Sequence, residues 1–384
     1  MKPRGIAALA CLVAAAPAAA INVVIDYTYD TSGFFGAGNP NGPAAGAQAR
    51  ASLEEAARFF STVLSDSFDA IETPTPYESP TTGTVVTWSW GARFVNPAIG
   101  QPTTRFDESI AADEYRVYAA ARPIGGFTLG LGGAGVTVWS RDLDGGFGSQ
   151  SEIDDALAIE AAFLDSAVRR GEPNGQYSFA SWGGSVAFDS DGSTSWHYDH
   201  TAPTPAGRHD FFSVAIHELG HALGVSSEEW DNRNSGLLFN GPASIADNGG
   251  SSPALSPGDG GAHWAQGTMS SIVGTTTPQE VSMAPTLSPG TRKRWTTLDA
   301  AGLVDIGWQY TAPPLGDYNV DFVVDAADYT LWRDSVGKST AFGAYNSWAA
   351  NFGAAVAPAA VVPTPGRVSL GLLAGLAALI RRRG

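Results

Sequence analysis

Cysteine is all but missing from the chain: Cys11 is the only one among 384 residues. It falls in an opening stretch that reads as an export signal, residues 1–20. That stretch has Lys2 and Arg4, an apolar run from Gly5 to Ala16, and Ala18-Ala19-Ala20 ahead of a cleavage point before Ile21. Ala8-Leu9-Ala10 makes a poor lipid-attachment box, so Cys11 reads as filler that leaves with the signal. The mature chain then has no thiol and no disulfide, which fits a large core rather than a small stapled domain. Bases are scarce too, 22 against 38 acids. Six of those bases lie in the two end segments and every acid lies between them, so the net charge of −16 becomes about −22 for the body alone. A body so acidic excludes nucleic acid and anionic lipid as partners and suits an extracellular protein that tolerates divalent cations. No hydrophobic run is long enough to span a bilayer, which needs about 20 residues.

What is present is a core-forming composition, 43% hydrophobic, with 46 glycines and 24 prolines that point to many loops. From Ile21 the strand-like "INVVIDYTY" leads to a predicted helix over 47–68, with Leu53, Ala56, Ala57, Phe60 and Leu64 at helical spacing. Strands are predicted at 84–90, 114–122, 133–140 and 183–190, and a second helix at 151–170 with Ser151 as its cap. The alternation indicates an α/β or α+β domain spanning residues 21–311. "DLDGGFG" (142–148) and "FDSDGS" (188–193) have the make-up of calcium loops but equally that of ordinary acid-glycine turns.

The most informative stretch is "HDFFSVAIHELGHALG", predicted as a helix from Phe211 to Leu223 with Asp210 as cap and Gly224 as stop. His217 and His221 stand four residues apart, so their rings share one face and two imidazole nitrogens can reach one tetrahedral zinc. Glu218 lies about 100° round the helix, placed for a water on the metal rather than for the metal itself. Such a water has a pKa lowered to about 7, and the carboxylate can carry its proton to a leaving amine. Two histidines hold zinc poorly, so a third ligand is needed. Ser227, three residues past Gly224, is a weak and rarely used one. Glu228 and Glu229 follow too soon, and Glu280 lacks a convincing helix. His263, in "GGAHWAQGTMSS", is the remaining candidate, while His197, His200 and His209 read as loop residues or a secondary metal site.

"HELGHALG", a long insertion, "HW" and then Met269 resemble the leishmanolysin-type metzincins, with further support from "LLFNGPASIA" and "LSPGTRKRWTTLDAAGLVDIGW". The resemblance implies a metzincin-type zincin domain, with a mixed sheet and an active-site helix. It also implies a third histidine displaced downstream to His263, a sharp turn at Gly224, and Met269 as an apolar floor beneath the ligands. The lack of cysteine and a fairly short insertion mark a distant bacterial relative.

Beyond the domain, "LGDYNVDFVVDAADYTLWRDSVG" carries Asp317, Asn319, Asp321, Asp325 and Asp328 at positions 1, 3, 5, 9 and 12 of a calcium loop. It resembles half of a dockerin-type, EF-hand-like helical repeat (315–354), which implies Ca2+ and a protein partner. Phe322 stands where such a loop wants glycine at positive φ. "AYNSWAANFG" echoes "DYTLWRDSVG" without an acidic loop. The last segment (355–384) joins Pro363 and Pro365 to an apolar run from Val368 to Ile380 closed by three arginines, and resembles a PEP-CTERM sorting tail. Any membrane contact is expected through that tail alone. The expectation is an exported or surface-attached zinc endopeptidase acting on protein or peptide substrates, against the alternative of a non-catalytic surface or adhesion protein on the same fold.

Overall fold

The computed structural model describes residues 21–170, 181–335 and 345–356. The expected export signal and nearly all of the sorting tail lie outside them. In chain order the elements are β1 (Asn22–Asp26), α1 (Pro43–Val63), β2 (Tyr77–Glu78), β3 (Val85–Val95), β4 (Pro102–Phe106), β5 (Glu114–Arg122), β6 (Gly130–Ala134) and β7 (Val136–Asp144). Then follow α2 (Gln150–Leu164), β8 (Gly183–Asp189), β9 (Trp196–His197), β10 (His209–Asp210) and α3 (Phe211–Ala222). The chain goes on through α4 (Glu228–Asp231), β11 (Asn234–Ser235), β12 (Leu238–Phe239), α5 (Pro242–Asp247), β13 (Met269–Ser271), β14 (Pro278–Glu280) and α6 (Thr297–Ile306). Two short helices end it, α7 (Ala326–Ser335) and α8 (Tyr345–Asn351). This is a mixed α/β architecture.

The sheet that positions the site runs β1-β5-β8-β6. Its first three strands are parallel, and β6 pairs antiparallel to β8 at the edge. β5 and β8 are nearly all buried, as expected of strands covered on both faces. On one face lie α1 and α3, whose apolar side chains merge with those of β1, β5, β8 and α6 into the main core. On the other face Tyr118 and Trp182 meet Trp88, Trp90 and Phe94 of a second sheet, in which β3 pairs with β2, β4 and β7.

Several boundaries differ from expectation for local reasons. α1 starts at Pro43, whose fixed φ suits the first helical turn, and it ends at Val63 because Leu64 turns to extended backbone. The expected strand over 133–140 is two, β6 and β7, which join different sheets. Ser149, not Ser151, caps α2, accepting the amide of Glu152. Asp142 and Asp144 of "DLDGGFG" lie in β7, while Asp189 and Asp191 take backbone amides in a turn. Both acid-glycine stretches are thus strand ends and turns.

The C-terminal segment shares the main core with the domain before it, because Phe322 is buried in the same cluster. Gly316 donates its amide to Gly274, and Arg58 of α1 reaches the carbonyl of Asn319. The echoed sequences pack reciprocally: Tyr329 of α7 lies 5.1 Å from Trp348 of α8, and Trp332 lies 5.1 Å from Tyr345. Phe322 takes φ 67, the left-handed conformation that glycine would adopt there at less cost. Among the described residues no helix is long and apolar enough to cross a membrane.

Candidate metal centre

α3 holds the site in the lining of a 760 Å³ cleft. Asp210 caps the helix as expected, accepting the amide of Ser213, and Gly224 turns the chain away at φ 106. Every residue of α3 except His217 is buried. Asp210 is also fixed from outside the helix, paired to Arg292 at 2.6 Å with both side chains almost wholly enclosed. Gly220 is required on this helix, because a Cβ there would fall 2.6 Å from the Met283 sulfur and 2.8 Å from the Trp295 ring.

The structure brings His217, His221 and His263 together. Their Nε2 atoms form a triangle with sides of 3.2, 3.0 and 3.2 Å. The other nitrogen of each ring faces oxygen: His217 Nδ1 donates to the Ser282 carbonyl at 2.8 Å, His221 Nδ1 to the Val225 carbonyl at 3.0 Å, and His263 Nδ1 to Asp259 at 2.8 Å. Those three bonds set one tautomer for all three rings, with the Nε2 lone pairs turned on one another. Three lone pairs at that spacing repel unless a cation lies among them. A tetrahedral ion at zinc's distance of about 2.0–2.1 Å needs ligand nitrogens about 3.3–3.4 Å apart, close to the triangle seen. Burial keeps the rings neutral, as a ligand must be. It holds His217 well below its ordinary range, brings His221 down to about 4 and lowers His263, with the neighbouring rings adding to the fall for His217 and His221. Among the described residues this is the one cluster of metal-ligating side chains that converges within 4.8 Å.

Glu218 lines the same cleft and is 5% exposed. Burial pushes its carboxyl up to about 8 against the pull of the Gly132 amide. That amide belongs to β6, which lies directly on α3. A Cβ on Gly130 would come 2.7 Å from Glu218 Oε1, and one on Gly132 would come 2.1 Å from the Glu218 carbonyl oxygen.

The competing third ligands have other work. Ser227 caps α4, its hydroxyl accepting the amide of Trp230. Glu280 pairs with Lys293 at 2.8 Å. His197 contacts the Ala202 carbonyl, His200 lies against Ser52, and His209 lines the cleft without joining the triangle. Met269 does not floor the site: it is 56% exposed on β13, whereas Met283, fully buried, lies under Gly220. In the expected calcium loop, Asp317 accepts the amides of Asp321 and Phe322, and Asp328 accepts those of Tyr318, Asn319 and Asp325. Asn319 donates to Asp321. These side chains organise the loop backbone and form no converging cluster.

Asp259, Ser282, Met283, Gly130 and Gly132 escaped the sequence reading. Asp259 had a signal, an acid one helical turn ahead of a histidine in "GDGGAHW", and the glycines of "GLGGA" had their alternation. The Ser282 and Val225 carbonyls had none. Comparison of the chain with family models, with curated proteins and with solved structures returned no match.

Proposed function

We propose that the chain is an exported zinc-dependent endopeptidase of the metzincin type, with His217, His221 and His263 as metal ligands and Glu218 as general base. The observation that carries the reading is the convergence of three oxygen-anchored imidazoles beside a buried carboxylate in an open cleft. Imidazole ligands suit several transition metals. The glutamate directly after the first histidine favours zinc and hydrolysis over redox chemistry. Zinc, when bound, supplies Lewis acidity that polarises a peptide carbonyl and lowers the pKa of water to about 7.

The remaining work falls to the chain itself. Glu218, held against β6, takes a proton on its carboxylate and returns it to the departing amine. A cation at the histidines favours the ionised form that Glu218 needs to begin as a base. β6 is the edge strand of its sheet and lines the cleft, which favours an extended peptide added alongside it as a further strand. The signal and sorting tail support export and transient membrane attachment. For the 315–354 repeat it is the sequence spacing alone that supports calcium and a protein partner, since its carboxylates bond the loop's own amides.

Glu218→Gln tests the catalytic role. It should keep the metal and lose hydrolysis of an unfolded protein substrate by about 10²–10⁴-fold. Undiminished hydrolysis by that variant would overturn the assignment. A wild-type protein that binds zinc yet cleaves nothing would support the adhesion reading instead.

A further inference from the structure

The anchor of His217 and the residue that follows His263 both hang on one buried side chain that touches no histidine. Asp299 is 1% exposed and accepts hydrogen bonds from five donors. Two are its own helix cap: the amide of Thr296 at 3.0 Å and its hydroxyl at 2.7 Å, in a capping box at the start of α6. The other three come from the site's supports. The Ser282 amide lies 2.8 Å from Oδ2, and the Met283 amide and Trp264 Nε1 lie 3.1 and 3.0 Å from Oδ1. Ser282 carries the carbonyl that orients His217, Met283 lies under Gly220, and Trp264 follows His263 directly. The Trp264 amide also donates to the Met283 carbonyl at 3.0 Å, so the loop segments bearing the His217 anchor and His263 itself are locked to each other as well as to Asp299.

A helix cap needs only one or two of these bonds. The carboxylate instead gathers three donors from the two segments that set the direction of His217 and His263. We propose that Asp299 is a positioning residue for the metal centre, and that its charge fixes the separation of the His217 and His263 nitrogens. This rests on the histidine triangle being a metal site. Asp299 does so through the Ser282 carbonyl on one side and the Trp264 ring on the other. Its loss lets the 282–283 backbone slide and the His263 ring tilt, so metal affinity falls although all three ligands remain.

The test measures zinc affinity of the full protein by competition with a chromophoric chelator, with the visible absorption of the cobalt-substituted protein as a reporter of geometry. Asp299→Asn keeps the shape but loses the charge and one acceptor. It should weaken zinc binding by about 10–100-fold, the usual cost of losing a ligand's supporting partner, and should alter the cobalt spectrum. Thr296→Val removes the hydroxyl that accepts the Asp299 amide and donates to the Asp299 carboxylate, both bonds lying within the cap of the same helix. It should lower the melting temperature of the metal-free protein yet leave zinc affinity within about threefold, since the three outer bonds persist. If Asp299→Asn does not fold, Trp264→Phe removes the single bond on the His263 side and should still weaken zinc binding and shift the cobalt bands. Equal affinity losses in Thr296→Val and Asp299→Asn would mean that helix stability alone is at work, overturning the proposal. So would an unchanged cobalt spectrum in Asp299→Asn, or in Trp264→Phe where that variant stands in. A wild type that takes up no zinc fails differently: it removes the metal reading first and the positioning role with it.

Discussion

Gly132→Ala and Gly133→Ala, adjacent changes in one strand, should have opposite consequences. β6 alternates, so Gly130 and Gly132 face α3 while Leu131 and Gly133 face away. A Cβ on Gly132 would lie 2.1 Å from the Glu218 carbonyl oxygen, 2.8 Å from its carbon and 2.9 Å from its Cα. Ordinary contact needs about 3.4 Å, so the overlap is about 1.3 Å against backbone, which has no rotamer through which to escape. Either β6 leaves α3 or α3 shifts with the histidines on it. Overpacking of this kind costs about 1–3 kcal/mol, and the rigid obstacle puts Gly132→Ala near the upper end. A Cβ on Gly133 meets nothing within 4 Å. Gly133→Ala should therefore be neutral or stabilising, by up to about 1 kcal/mol through the unfolded chain. Urea unfolding of the three proteins measures the difference, and hydrolysis of an unfolded substrate reads the displacement of Glu218. Equal stability of the two variants would refute the claim that direct strand-on-helix contact sets the position of Glu218.

Other consequences follow from the buried charges. Arg292→Met leaves the Asp210 carboxyl without its arginine in a site almost closed to water, and should destabilise the protein by about 3–5 kcal/mol in a denaturant titration. A variant within 1 kcal/mol of wild type would show that the pair does not anchor α3. In the 317–328 loop, burial raises the Asp317 carboxyl to about 6. The folded state therefore holds a proton that the unfolded chain releases near its ordinary value of about 3.9, so this residue's contribution to stability falls as pH rises from about 4 through 6. The wild type should accordingly gain melting temperature relative to Asp317→Asn between pH 7.5 and pH 5. Parallel pH profiles for the two proteins would contradict the shift.

How much of this could be read from the chain depended on the range of each interaction. The His217, Glu218 and His221 arrangement needs only helical spacing, and Asp210 and Gly224 bound that helix by short-range rules, so this part was legible. His263 lies 42 residues past His221 and was reached by eliminating Ser227 and the glutamates, together with the family resemblance. The anchors behind the ligands are less legible. Two of the three are backbone carbonyls, which carry no residue signature, and the third, Asp259, is one acid among 38. Met269 came from the family resemblance, as the methionine six residues past His263. Which methionine lies beneath Gly220 is decided instead by Asp299 drawing the 282–283 segment inward. Strand breaks such as that between β6 and β7 escape notice because Gly135 continues an apolar, glycine-rich run without punctuation.

The most direct test of the account is the zinc content of purified protein, wild type beside His263→Ala, after dialysis against metal-free buffer and reloading with one equivalent. The expected result is close to one zinc per wild-type chain and little or none in His263→Ala, with hydrolytic activity lost in step. Retention of zinc and activity by His263→Ala would contradict the three-histidine centre.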